Sequence, residues 1–213
     1  MNQSQVVKIY LNQMEMVKKR LFYAEKQLEK FEKNNELMDL ENVILNLRKI
    51  LEIIAYASIA PNKKSYSKFR NDSERPVDFR KDYHGGYILK HLSKINEDFY
   101  PKPLLEPKLL APRRWHFDSL ADGYLTKNEY IKLYDRLGKY LHADNPWGND
   151  KGYMQLAKEL PSYFAKIRNL LRLHATFVQD AKSRFAFVVE LGSLTKNASM
   201  ITAIADGAFI VDN

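Results

Sequence analysis

Between residues 5 and 33, Val6, Ile9, Tyr10, Met14, Val17, Leu21, Ala24, Leu28 and Phe31 recur every three or four positions, with Lys and Glu between them. This spacing draws one apolar stripe along a helix, and Asn34-Asn35 ends it. A second stretch, 39–60, carries Leu40, Val43, Ile44, Leu47, Ile50, Leu51, Ile54 and Ala57, widened by Ala55, Ile59 and Ala60. So wide an apolar face predicts a helix central to a bundle, with Asp39 as N-cap and Pro61 as stop. Residues 61–78, punctuated by Pro61, Asn62, Asn71, Asp72, Ser73 and Pro76, are expected to be a loop. A third helix is expected from Phe79 to Asn96, weakened or bent at its start by Gly85-Gly86.

Residues 97–117 carry four prolines and form an irregular crossover, pinned to the bundle by Phe99, Tyr100, Leu104, Leu105, Leu109, Leu110, Trp115 and Phe117. Thr126 and Glu129 have the spacing of a capping box, opening a helix that runs to about Leu141. The run Asp144-Asn145-Pro146-Trp147-Gly148-Asn149 is a turn. Helical spacing resumes over 153–171, with a break expected near Pro161. The period then shortens to two. Stretches 174–178, 184–191, 200–204 and 208–211 fit strands of an antiparallel meander. The fold class expected is α+β, a predominantly α-helical bundle over 1–171 with internal loops. A β-rich extension over 172–213 would rest on that bundle or on a second subunit, since a few strands need a packed face.

Charge adds a candidate partner. The net charge is +8, and residues 1–33 and 61–81 are both basic. Lys63, Lys64, Lys68 and Arg70 alternate with Tyr66 and Phe69, a mixture that can hold phosphates while rings stack on bases. The same rings can instead anchor the segment to the core. The polar N-terminus has no apolar signal-peptide core, and no run reaches the length of a membrane span. A cytoplasmic protein without membrane attachment is therefore expected. With no cysteine, thiolate zinc sites are excluded. His84 and His91 lack a third ligand nearby, and no glycine-rich phosphate loop or dinucleotide fingerprint is present. No metal or cofactor is expected.

One segment, Tyr130 to His142, carries candidate chemistry. Tyr130, Leu133, Tyr134, Leu137 and Leu141 form its apolar stripe, while Arg136 and His142 flank the polar side, with Asp135 and Lys139 between them. Arginine holds a phosphate through a planar fork, and histidine moves a proton near neutral pH. Together they suit attack of an RNA 2′-hydroxyl on the adjacent phosphate, without a metal. Their plainer roles are a surface ion pair for Arg136 and a helix C-terminal contact for His142. Arg48 and Glu52, four apart on the second helix, are either an ordinary pair or support for this site.

Arg136, five intervening residues and His142 resemble the cleavage motif of the HEPN superfamily (higher eukaryote and prokaryote nucleotide-binding domains). Leu47-Arg-Lys-Ile-Leu-Glu52 and the helix order are similar to that group as well, and the resemblance spans about residues 39–171. It implies a dimeric, metal-independent endoribonuclease of the kind found in toxin or phage-defence systems. Arg136 and His142 from both subunits would line one cleft. Some members of the group bind without cutting. The expected partners are thus RNA, a second copy of the chain and a regulatory protein. A non-catalytic nucleic-acid- or protein-binding module is the alternative.

Overall fold

The computed structural model describes residues 3–73, 76–112, 114–180 and 183–204. Two long antiparallel helices, α1 (Gln3–Asn34) and α2 (Leu37–Asn71), form its spine. Between them Asn35 takes φ 55°, a left-handed conformation that asparagine tolerates better than most residues. Glu36, not Asp39, is the N-cap of α2. Asp39 lies inside the first turn, where its carboxylate meets Lys30 of α1 at 2.8 Å.

The expected stop at Pro61 is corrected: α2 continues to Asn71, so most of the expected loop is helix. Proline in a helix interior costs roughly 3 kcal/mol. Tertiary contacts on both sides of Pro61 offset this. Ser58, Ile59, Ala60, Asn62 and Tyr66 are all buried. Asn62 donates to the Ser58 carbonyl at 3.0 Å and accepts from Asn96 at 3.0 Å.

The expected third helix is also corrected, into a 3-10 turn (Phe79–Lys81) and a separate α3 (Gly85–Ser93). Gly85 sets that boundary. A Cβ there would lie 2.6 Å from the Tyr130 hydroxyl oxygen, so only glycine lets α3 start this close to α4 (Lys127–Tyr140). The capping box of α4 is formed: Glu129 N–H donates to Thr126 Oγ1 at 3.2 Å, and Thr126 N–H to Glu129 Oε2 at 3.0 Å. The last helix, α5 (Tyr153–Leu171), runs unbroken through Pro161, which is on its solvent side.

The antiparallel sheet has the order β1 (Lys102–Pro103), β4 (Leu173–Asp180), β5 (Ser183–Glu190), β6 (Ser199–Ile204). Its first strand comes from the crossover. The expected strand over 208–211 lies outside the described residues. Register puts His174 opposite Val189 and Thr176 opposite Phe187. On this face Phe187 and Val189 join the bundle core. The other face carries Leu173, Ala175, Phe177, Ala186 and Val188 against Leu104 and Phe117. A separate two-stranded ribbon, β2 (Lys108–Ala111) with β3 (Arg114–His116), leaves Leu109, Leu110 and Trp115 exposed. Of the residues expected to pin the crossover, Phe99, Tyr100, Leu104 and Phe117 do so, and Leu105 and these three do not. The fold is α+β, mainly helical, with an antiparallel sheet.

Candidate nucleic-acid interface and the Arg136–His142 segment

On α4, Tyr130, Leu133, Tyr134 and Leu137 are buried and fix the helix rotation, while Leu141 is its C-cap and exposed. That rotation leaves Arg136 facing α5. Its Nη1 and Nη2 both bond the Glu159 carboxylate, the second at 3.2 Å, and Gln155 donates to the same carboxylate at 2.9 Å. The pair is about one-third exposed, at 31% and 32%. The bond to Arg136 holds the Glu159 carboxyl below its usual range, and the same bond raises Arg136. His142 lies past the helix end in an exposed segment, and its ring makes no hydrogen bond among the described residues. Its backbone carbonyl accepts from Lys151 Nζ at 2.6 Å, and Lys151 also pairs with Asp144 at 2.6 Å. No bond joins Arg136 to His142 within one chain. Asp135 and Lys139 are exposed and make no ion pair among the described residues.

Arg48 and Glu52 reach α4 at Tyr134, two residues before Arg136. The Arg48 guanidinium stands 3.9 Å over the Tyr134 ring, and its Nη1 donates to the Tyr134 carbonyl at 2.8 Å. Glu52 accepts from the Tyr134 hydroxyl at 3.0 Å and approaches Arg48 at 3.6 Å. Gly138 gives this guanidinium room, because a Cβ there would come within 2.9 Å of Nη1. Burial, with the Glu52 charge beside it, pushes the Tyr134 hydroxyl up to about 12. His84 meets the edge of the same ring at 4.9 Å. The two residues therefore position α4 by gripping Tyr134 and do not touch Arg136.

The basic residues expected to bind nucleic acid lie on the last three turns of α2, not on a loop. Arg70 is spent: Nε and Nη2 each bond Asp82 at 2.9 Å, and Tyr66 donates to that carboxylate at 2.9 Å. Lys63, Lys64 and Lys68 are exposed. Beside them α3 and its C-cap add Lys90 and Lys94, which sequence reasoning missed. Tyr87, Lys90, His91 and Lys94 share the i, i+3, i+4, i+7 spacing of one helix face, and that spacing could have found them. Lys90 stands 5.7 Å over the Tyr87 ring and Lys94 5.9 Å over Phe69. Phe69 in turn packs on His91, with centroids 5.5 Å apart. The His91 ring is partly buried, its Nδ1 has no partner among the described residues, and burial, with Arg70 nearby, lowers its pKa.

Lys64, Lys68, Lys90 and Lys94 are exposed and make no ion pair among the described residues. On α1, Lys18, Lys26 and Lys30 are each held by a carboxylate within 2.9 Å, while Lys8, Lys19 and Lys33 are exposed without an ion pair or an aromatic ring beneath them among the described residues. A cavity of about 350 Å³ opens on the α2–α3 face, lined by Ser65, Lys68, Phe69, Asp72 and Ser73. Among the described residues no group of three or more His, Asp or Glu side chains can hold a metal ion, and no helix is long and apolar enough to cross a membrane. Compared with protein-family models, with curated proteins and with solved structures, the chain matches none of them.

Proposed function

We propose that this chain binds single-stranded nucleic acid, RNA in the first instance, through the α2–α3 face. One observation carries the reading: Lys64, Lys68, Lys90 and Lys94 lie exposed without ion pairs among the described residues, two of them over aromatic rings. Unpaired ammonium groups release counterions from a phosphate backbone, and neighbouring rings stack on bases without regard to sequence. Fluorescence anisotropy with a labelled single-stranded RNA tests it. Four phosphate contacts predict roughly a 50-fold loss of affinity between about 50 and 200 mM salt. Replacing the four lysines by alanine abolishes most binding, whereas replacing Lys8 and Lys33 of α1 does not. Equal binding by the quadruple variant, or no association at low salt, refutes the reading.

A second reading is metal-independent cleavage of that RNA by 2′-hydroxyl attack. It is supported by His142, whose ring is exposed beside the end of α4. Arg136 would serve it only after exchanging Glu159 for a phosphate, or across a symmetric dimer that brings two such segments together. The test is product analysis in EDTA. Cleavage leaves a 2′,3′-cyclic phosphate and falls roughly 100- to 10,000-fold in H142A. Undiminished cutting by H142A removes His142 from the reaction, and retention of intact RNA leaves the binding role alone.

A further inference from the structure

We propose that the cavity at the C-terminal end of α2 takes a guanine base of the bound strand, stacked on Phe69 with its Watson–Crick edge on the Asp72 carboxylate. The inference rests on the nucleic-acid reading above and names the base that this face prefers.

The cavity, about 350 Å³ and open to solvent, is lined by both residues. It lies at the small end of the range for ligand pockets, a size suited to one base and not to a whole nucleotide chain. Phe69 supplies the platform. Its ring is half-buried and braced by His91 at 5.5 Å, so it is already fixed before a base arrives. Lys68 lines the cavity and Lys94 stands over the Phe69 ring, so cations flank the site where the phosphates on either side of a stacked base would run.

Asp72 is the unexpected member. It places an exposed carboxylate, making no ion pair among the described residues, beside Lys68 on the face that also carries Lys64 and Lys94. A carboxylate there weakens binding to phosphates, so its presence calls for a use. Helix capping does not supply one, because the cap is made by the Asp72 backbone N–H, which donates to the Lys68 carbonyl at 2.9 Å. A carboxylate offers only acceptors, two oxygens side by side. Guanine alone among the four RNA bases presents two adjacent donors on its Watson–Crick edge, N1–H and the 2-amino group. Adenine and cytosine each set one amino donor beside a ring nitrogen acceptor, which would face a carboxylate oxygen unfavourably. Uracil has a single N–H between two carbonyl oxygens. The carboxylate therefore converts a sequence-tolerant stacking platform into a guanine-selective one. Ser65 adds a hydroxyl to the lining.

The test uses the full chain and oligouridine strands about 12 nucleotides long, within the footprint of such surfaces. The central base is uracil, guanine, inosine or adenine. Anisotropy should rank guanine roughly tenfold tighter than uracil or adenine, a typical value for one bidentate base contact. Inosine, which lacks the 2-amino group, should fall between. D72N should lose the guanine preference while binding all-uracil strands at least as tightly as the parent. F69A should weaken every strand, and F69W should restore binding with the preference intact. Equal affinity for all four strands overturns the guanine site and leaves the lysine face standing, as does a D72N variant that keeps the preference. Absence of binding to any strand overturns both.

Discussion

Acid should destabilise this fold through His174. Its ring is fully buried where β4 meets α1. Nδ1 lies 3.0 Å from the Leu171 carbonyl, which can only accept, so the proton sits on Nδ1. Nε2 is then the acceptor for the Tyr10 hydroxyl at 2.8 Å. Both nitrogens are satisfied in the neutral form, and burial pushes the imidazole down to about 4. In the unfolded chain a histidine titrates near ~6.5. Between these values the unfolded state binds the proton and the folded state does not, so stability rises with pH. The contribution is complete above the unfolded value and is lost as pH falls from there toward the folded one. Integrating that linkage gives a loss of about 2 kcal/mol between roughly pH 7.5 and pH 5, and ~3 kcal/mol in full. Carboxylates held low by partners, such as Glu159 and Glu15, act mainly below this window. His91 is also lowered and acts within it with the same sign. The informative quantity is therefore the difference between the parent and H174Q, measured by urea unfolding at both pH values. The parent should lose about 2 kcal/mol more than the variant on acidification. Parallel pH profiles for the two proteins, or an NMR titration of His174 near its ordinary value, would refute the reasoning.

Three further outcomes follow from the packing. T126A removes the side-chain half of the α4 capping box and should cost about 1 kcal/mol in urea unfolding. D82N should cost several times more than R136A: the Arg70–Asp82 pair is only 15% and 13% exposed and also holds Tyr66. Breaking a buried pair costs roughly 3 kcal/mol, and one about a third exposed, such as Arg136–Glu159, about 1, so equal losses in denaturation midpoint would contradict the burial argument. G85A should lower the melting temperature by forcing a Cβ toward the Tyr130 hydroxyl at 2.6 Å. Y130F also removes the bond from that hydroxyl to the Leu51 carbonyl, so it should cost less in the G85A background than in the parent, and strictly additive effects in this double-mutant cycle would place the strain elsewhere.

The helices of the bundle were legible in the sequence because one side of each is buried, and the three described long strands because β-branched and aromatic residues crowd them, with β4 and β5 covered on both faces. A buried face forces an apolar period, and a period survives in the letters. The Thr126–Glu129 cap was legible for a related reason, since its bonds close within four residues. Arg136, His142 and the lysines of α2 could be picked out as types, but not assigned partners. The sequence places Pro61 in the chain without placing Asn96 beside Asn62, and those remote contacts carry α2 onward to Asn71. It likewise cannot say that Glu159 will occupy the Arg136 fork, that Asp82 will take Arg70 out of the basic face, or that Lys90 and Lys94 will stand beside Phe69 and Lys68. A charged side chain costs little to leave in water and little to pair at the surface. Its one-dimensional pattern therefore carries almost no trace of the choice, which is made by the rotation and approach of helices that the apolar residues pack.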